Sequence, residues 1–242
     1  MSNYNIFLVH VGKCAGESVA AALQQHDTSF TEYHGGQANI EIADRVLAGR
    51  ENDLFVILLR DPVSRFISAF EWDLLEKFIA RDVPQDNPFW LPVYDTFDNA
   101  NSLAEALTSP DAGLRAVADH AMRSSHLHMH YDLAWYLPPH IAEHLTRKNA
   151  VTIQNDRINE DFARLLRRIG VPLKSEFSVP FSKHQYKSRI PQHRRTDKLS
   201  DLARRNVRAY SATSYETIRV LKQRDILVDR WWKKLTEILP IG

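Results

Sequence analysis

The feature that most constrains the fold is the uninterrupted apolar run of residues 54–59 (LFVILL). A strand with no polar residue at either alternate position must be covered on both faces, which is typical of a central strand in a parallel sheet. A second β-rich run, residues 5–11, stops at Gly12, and the alanine-rich residues 17–25 that follow favour a helix. Strand, glycine loop and helix in this order predict an α/β fold with a central parallel sheet flanked by helices.

The other patterns are consistent with one domain over residues 1–242. Residues 29–33 and 151–154 are candidate short strands, and residues 159–169 have the apolar spacing of an amphipathic helix. Residues 82–101 contain three prolines and predict a long ordered loop. Further helical patterns follow, so we expect a three-layer, P-loop-like fold whose C-terminal part is helical, with helices in residues 102–107, in residues 111–123 and after residue 196.

Composition excludes several classes of protein. The chain is 44% hydrophobic and 25% charged, as in an ordinary globular domain, and its net charge of +1 gives no overall attraction to nucleic acid or to a membrane. The single cysteine, Cys14, permits neither an internal disulfide nor a zinc site made of cysteines alone. Because the early apolar run is too short for a signal sequence or a membrane span, we expect a soluble, cytoplasmic protein.

The loop between the first strand and the first helix, residues 10–18 (HVGKCAGES), predicts an anion site. Backbone N–H groups at a helix start converge on one spot, and the helix dipole makes that spot suitable for a phosphate or sulfate. Lys13 adds a full positive charge. The order differs from a Walker A loop because the lysine directly follows the first glycine. A tight turn with a surface lysine is the alternative interpretation.

A second segment, residues 58–70 (LLRDPVSRFISAF), predicts another anion contact. Arg60 follows the buried strand, at the sheet edge where ligands of open α/β folds bind. Ser68 lies one helical turn beyond Ser64 on the same face, so a guanidinium and a hydroxyl can hold a second phosphate. Asp61 is either the N-cap of the next helix, with Pro62 at the first helical position, or a magnesium carboxylate.

Together these segments resemble the PAPS-dependent sulfotransferases (PAPS is 3′-phosphoadenosine 5′-phosphosulfate), in particular the carbohydrate branch with its heparan 2-O- and 6-O-type enzymes. That family has a strand ending in H-x-P-K-T-G-G-T-S and a later L-R-D-P-V-x-R-F-x-S-A-Y. The second pattern is nearly complete here, and the first keeps His10, Lys13, Gly16 and Ser18. Glu17 replaces a threonine that helps to hold the 5′-phosphate in the family. A carboxylate would repel the donor, so we expect Glu17 to point away or to serve another purpose.

The resemblance implies transfer of a sulfuryl group from PAPS to an acceptor hydroxyl on a saccharide, without a metal, leaving 3′,5′-bisphosphoadenosine. Lys13 would stabilise charge on the bridging oxygen of the leaving phosphate, and Arg60 and Ser68 would hold the 3′-phosphate. Residues 187–189 resemble a late family segment that closes over the nucleotide. The implied donor contacts are therefore Gly12, Lys13, Cys14, Ala15, Gly16, Glu17, Ser18, Arg60, Ser68, Lys187, Ser188 and Arg189.

The same resemblance suggests a general base after the second strand. Heparan 2-O-type relatives carry H-G-H there, and the second histidine is usually considered the base. Residues 33–36 (YHGG) keep only the first histidine, so His34 is our candidate base, a role that suits imidazole near neutral pH. Glu71 and the histidines of residues 126–130 are the alternatives, and we interpret His10 as structural.

Three histidines alternate in residues 126–130 (HLHMH). On a strand their imidazoles would share a face and could bind zinc, but no strand pattern flanks them. The segment resembles the family's H-x-x-P-Q region near the acceptor pocket, which makes His126 and His130 candidate acceptor contacts. Surface histidines without a function are the alternative.

Two other functions stay open at the level of sequence. A P-loop-type nucleotide kinase or NTPase would need magnesium with ATP. A non-catalytic protein that binds anions or nucleic acid would use residues 183–208, which hold nine Lys/Arg against Asp197 and Asp201. The sulfotransferase hypothesis needs no nucleic-acid partner, and neither fold nor donor site defines the acceptor.

Overall fold

The computed structural model describes residues 4–80, 87–173, 178–180 and 184–227. The chain divides into two compact units. We call the first the sheet unit (Met1–Asp61, Leu133–Ser182 and Thr213–Gly242) and the second the helical unit (Pro62–Asp132 and Lys183–Ala212). That residues 1–242 act as one sulfotransferase-like domain stays a prediction.

The sheet unit is built on four parallel strands in the order β2-β1-β3-β4. All seven residues of β3 are buried, because this strand is paired on both edges and covered on both faces. The predicted α/β fold with a central parallel sheet is thus confirmed. The strands are β1 Asn5–Val9, β2 Thr31–Tyr33, β3 Asp53–Leu59 and β4 Ala150–Gln154.

Helices connect and flank these strands and also make up the helical unit. In chain order they are α1 Gly16–Gln25, α2 Ala38–Ala48, α3 Pro62–Asp73, α4 Leu91–Thr96, α5 Ala100–Ala106, α6 Ala112–Arg123, α7 Leu133–Tyr136, α8 Pro139–Ala142, α9 Ile158–Arg168, α10 Asp201–Tyr210 and α11 Ala212–Gln223. A π-helical segment, Leu74–Ile79, directly extends α3, and 3₁₀ helices span Asn155–Arg157, His184–Arg189 and Gln192–Arg194. The C-terminal part is helical as predicted, while residues 228–242 lie outside the described ranges.

The apolar stripe predicted after Pro62 forms the core of the helical unit. Phe66, Phe70 and Leu74 are buried there, and α10 packs against α3 and α5. These side chains recur at the four-residue spacing that turns one helix face toward a core. The stripe therefore has a packing role.

The prediction of a long loop over residues 82–101 is wrong in its second half, where α4 lies and α5 begins, while residues 82–86 lie outside the described ranges. Pro92 sits in the first turn of α4, where a missing N–H costs no hydrogen bond. Val93 and Tyr94 are fully buried in the core of the helical unit. Burial of these two side chains stabilises a helix that the prolines had suggested was absent.

No helix within the described part of the chain has the length and apolar character needed to cross a membrane.

Candidate functional site

The strand order brings two of the predicted motifs to one edge of the sheet. The chain passes from β1 to β2 on one side and then returns to β3 on the other side of β1. The carboxyl ends of β1 and β3 thus flank a topological switch point, where open α/β sheets bind ligands. Residues 10–18 follow β1, and Arg60 follows β3.

The loop after β1 is a tight turn held in an unusual backbone conformation. The Cys14 N–H donates to the Val11 carbonyl over 3.2 Å, which leaves Gly12 and Lys13 as the central residues of the turn. Lys13 has a φ of 67° and Ala15 a φ of 69°, both in the left-handed region that favours glycine. Each costs about 1 kcal/mol for a residue with a side chain. Such turns aim successive N–H groups at one point and form anion-binding concavities.

The start of α1 supports the same interpretation. Ala15 is the N-cap residue, and its methyl group cannot accept a hydrogen bond from the first N–H groups of the helix. Cys14 is buried, with 2% of its surface exposed, whereas Glu17 on the first turn is exposed to solvent. The carboxylate that departs from the family pattern is therefore solvated.

Arg60 joins the two motifs. Its Nη1 donates a hydrogen bond to the Lys13 carbonyl over 3.0 Å, across 47 positions of sequence. Arg60 is half-buried, so its guanidinium lies against the backbone of the strained turn. The neighbouring Asp61 accepts a hydrogen bond from the Tyr215 hydroxyl over 3.4 Å. The turn and the cation after β3 are thus in direct contact.

His34, the candidate base, directly follows β2 and is exposed. Its Nδ1 lies 3.0 Å from the His10 carbonyl. A carbonyl can only accept, so Nδ1 carries the proton in neutral His34 and Nε2 carries the lone pair. The Tyr136 hydroxyl accepts from the Gly35 N–H over 3.1 Å and lies 3.5 Å from Nδ1 of His34. This tautomer suits a general base that acts through Nε2.

His10, which the sequence indicated to be structural, contacts the candidate base. Its ring stacks on His34 with centroids 4.1 Å apart, and its Nδ1 pairs with the Glu32 carboxylate. Burial and the neighbouring His34 lower the pKa of His10, against the opposing effects of Glu32 and Glu17. A Cβ atom on Gly16 would lie 1.9 Å from atoms of the His10 ring, so this position requires glycine.

Strand bounds and strand pairing explain this arrangement. His10 and His34 each follow a strand directly, and β1 pairs with β2 in the register Val9↔Tyr33. Residues that leave neighbouring parallel strands at matched positions emerge side by side. The pairing of β1 with β2, and not the sequence pattern alone, makes this visible.

In the helical unit, the predicted donor contacts Ser68 and Lys187 belong to one cluster. The Ser68 hydroxyl lies 3.2 Å from the Tyr186 hydroxyl, and the Trp72 ring packs edge-on against Tyr186. Lys187 Nζ lies 3.1 Å from the Glu71 carboxylate. The helix α3 and the 3₁₀ helix His184–Arg189 are thereby brought together.

Glu71, the alternative base, has a clear structural role. Its side chain is 1% exposed, and one oxygen accepts from the Thr196 N–H over 3.0 Å while the other pairs with Lys187. The carboxylate thus anchors both ends of the segment from Lys187 to Thr196. Within that segment Ser188 accepts through its carbonyl from Arg195 over 3.1 Å, and Arg189 is exposed.

The three alternating histidines lie in turns, and each has a different partner. His128 Nδ1 lies 2.6 Å from the fully buried Asp73 carboxylate, and Arg65 donates to the His128 carbonyl. His126 stacks on Phe89 with centroids 4.0 Å apart. Burial lowers the pKa of His130, and Arg65 adds to this effect. Among the described residues, no group of three histidine, cysteine or acidic side chains is arranged to hold a metal ion.

Comparisons with protein-family models, with curated proteins and with solved structures return no match. The function must therefore be argued from the arrangement of residues at the ends of β1, β2 and β3.

Proposed function

We propose that this chain is a PAPS-dependent sulfotransferase that transfers a sulfuryl group to a hydroxyl of a saccharide acceptor. One observation carries the proposal, the hydrogen bond from Arg60 to the Lys13 carbonyl. It joins the two motifs that resemble the family at the edge of the sheet where ligands bind. PAPS carries phosphate groups at both ends of its ribose, so it needs two cationic contacts, which Lys13 and Arg60 would provide.

In this proposal the turn after β1 binds the 5′-phosphate. The backbone N–H groups of residues 12–18 converge there, and the dipole of α1 adds partial positive charge. The Lys13 ammonium stabilises the charge that develops on the bridging oxygen as the sulfuryl group leaves. Positioning and charge stabilisation of this kind dominate group transfer between oxygens.

Arg60 is assigned to the 3′-phosphate, the group that distinguishes this donor from ATP. A guanidinium can give a phosphate two parallel N–H donors, which a lysine cannot. The proposed contributions of Ser68, Lys187, Ser188 and Arg189 rest on the family resemblance and stay predictions.

His34 is assigned as the general base. In the tautomer that its contact with the His10 carbonyl favours, Nε2 is the atom that accepts the proton of the acceptor hydroxyl. The base is exposed, as it must be to meet an acceptor. His126 and His130 stay predicted acceptor contacts.

Binding of three nucleotides distinguishes the proposed sulfotransferase from the kinase or NTPase and from the non-catalytic protein. We expect 3′,5′-bisphosphoadenosine, without metal, to raise the melting temperature more than ADP or ATP with magnesium. A ligand at 100 times its Kd adds about 2.7 kcal/mol of stability. A preference for ATP with magnesium would favour the kinase or NTPase instead. An equal response to every polyanion would favour the non-catalytic protein.

Replacement of Arg60 adds a site-specific arm to this test. Arg60→Ala should weaken bisphosphoadenosine binding about 10- to 100-fold, because charge-assisted hydrogen bonds to the phosphate are lost. Isothermal titration calorimetry measures the change. Arg50→Ala, at an exposed arginine before β3, is the matched control and should bind like the wild type. Equal affinity in Arg60→Ala and Arg50→Ala would contradict the assignment of Arg60.

A further inference from the structure

The ends of β1 and β2 carry a chain of three ionisable side chains within the sheet unit. Glu32 pairs with His10, and the His10 ring stacks on His34 with an interplanar angle of 28°. The β1–β2 register Leu8↔Glu32 and Val9↔Tyr33 determines this juxtaposition. Of these three side chains, only His34 takes part in the reaction proposed above.

Three contacts restrict His10 within the described part of the chain. Its carbonyl accepts from His34 Nδ1, its own Nδ1 faces Glu32, and its ring occupies the space above Gly16. Because His10 is 7% exposed, its ring has little freedom to leave this position. The orientation of His34 therefore depends on the placement of His10.

The His10 and His34 rings lie in different electrostatic surroundings. Two protonated imidazoles in a 4.1 Å stack would repel each other, so the pair favours a single positive charge. Burial disfavours that charge on His10, whereas His34 is exposed. Among the described residues, the charged or titratable groups that act on the rings are Glu32 from β2, the solvated Glu17 from α1 and the Tyr136 hydroxyl from α7. Both carboxylates favour a positive charge in the stack.

We propose that His10 and Glu32 are positioning residues for the base, which hold His34 in the tautomer that presents Nε2 and favour the positive charge that His34 acquires. This inference rests on the proposed function. As the acceptor O–H bond breaks, its proton binds Nε2 of His34 and its electron pair forms the new O–S bond. The bond from sulfur to the bridging oxygen breaks, and its electron pair leaves with bisphosphoadenosine.

Glu32 is the residue to change, because its side chain is 37% exposed and its loss should not prevent folding. Glu32→Gln keeps the size of the side chain but removes its charge, and Glu32→Asp keeps the charge on a shorter side chain. Glu51→Gln, at an exposed carboxylate in the turn before β3, is the matched control. Each is made in the full chain, and thermal melting verifies that it is folded.

In Glu32→Gln we expect kcat to fall about tenfold, with KM for PAPS within about twofold of the wild type, because the carboxylate acts on the base. The acidic limb of the pH–kcat profile should move relative to the wild type. Imidazole ¹⁵N NMR should show a mixture of His34 tautomers in place of the Nδ1–H form, together with a further lowered pKa of His10. Glu32→Asp should restore most of kcat, and Glu51→Gln should match the wild type in every measurement.

A Glu32→Gln variant with wild-type kcat, pH profile and His34 ¹⁵N signals would overturn the inference. Failure of the proposed function has a different signature, since the wild-type chain would then not bind bisphosphoadenosine. The NMR comparison decides the link between Glu32, His10 and His34 in either case, because it needs no donor or acceptor. Unchanged His34 signals alone would show that His10 and Glu32 do not hold its tautomer.

Discussion

The sheet unit and the helical unit form their candidate sites in opposite ways. In the sheet unit the site depends on backbone geometry, with Lys13 and Ala15 in left-handed conformations and Arg60 bound to a carbonyl. In the helical unit Ser68 and Glu71 contact partners more than one hundred positions away through their side chains. In the first arrangement neighbouring residues determine the turn, and one contact across 47 positions adds Arg60. The second arrangement consists of side-chain contacts across more than one hundred positions.

Because of this difference, we expect substitutions in the two units to have different effects on activity and on stability. The turn after β1 stores strain, so we expect changes there to affect chemistry while the fold tolerates or even gains from them. The Glu71 carboxylate is buried and needs its partners to compensate for lost hydration. Substitutions there should therefore lower the free energy of unfolding more than they change activity. Changes at Lys13, at Glu71 and in pH test this contrast.

The largest expected effect is at Lys13. Lys13→Ala and Lys13→Gly should both lower kcat about 10²- to 10³-fold, because the charge that stabilises the leaving oxygen is lost. Only Lys13→Gly relieves the left-handed φ of 67°, so it should be about 1 kcal/mol more stable than Lys13→Ala. Steady-state kinetics and urea unfolding measure the two effects. Near-wild-type turnover in either variant would remove Lys13 from the mechanism.

The second effect is on stability at Glu71. Glu71→Ala should lower the free energy of unfolding by about 3 kcal/mol, because the Thr196 N–H and Lys187 both lose a buried partner. Glu71→Gln retains an acceptor for the N–H and should cost about 1 kcal/mol. Urea unfolding compares the two variants. If Glu71→Gln instead folds normally and loses turnover about a hundredfold, Glu71 and not His34 becomes the candidate base.

The smallest expected effect is the pH dependence of stability. The pKa of His10 lies below its ordinary value of 6.5 in the folded chain, so the unfolded chain takes up a proton first as the pH falls. The contribution of His10 is fully present above pH 6.5 and is lost progressively below it. His130 contributes with the same sign in the helical unit. Unfolding free energies at pH 7.5 and 5.5 should differ by at most about 1.4 kcal/mol per histidine, and a rise on acidification would contradict this.

Predictions that depend on neighbouring residues agree with the structure, whereas contacts between distant residues were not predicted. Four features depend on neighbouring residues and lie where we predicted them. They are the central strand, the glycine loop, the start of α3 at Pro62 and the apolar stripe of α3. No strand pattern flanks the alternating histidines in residues 126–130, so the local sequence did not indicate their conformation. Asp73 and Arg65 hold that segment in turns, through contacts from elsewhere in the chain.

The sequence by itself determined the parallel sheet, the loop with Lys13 and the cation after β3, because strand burial and turn chemistry act over a few residues. Tertiary structure alone decided that Arg60 meets the Lys13 carbonyl, that His10 lies under His34 and that Lys187 pairs with Glu71. The physical reason is that strand order and register in the sheet unit, and helix packing in the helical unit, bring together residues that are distant in the chain, and no local pattern encodes those distances.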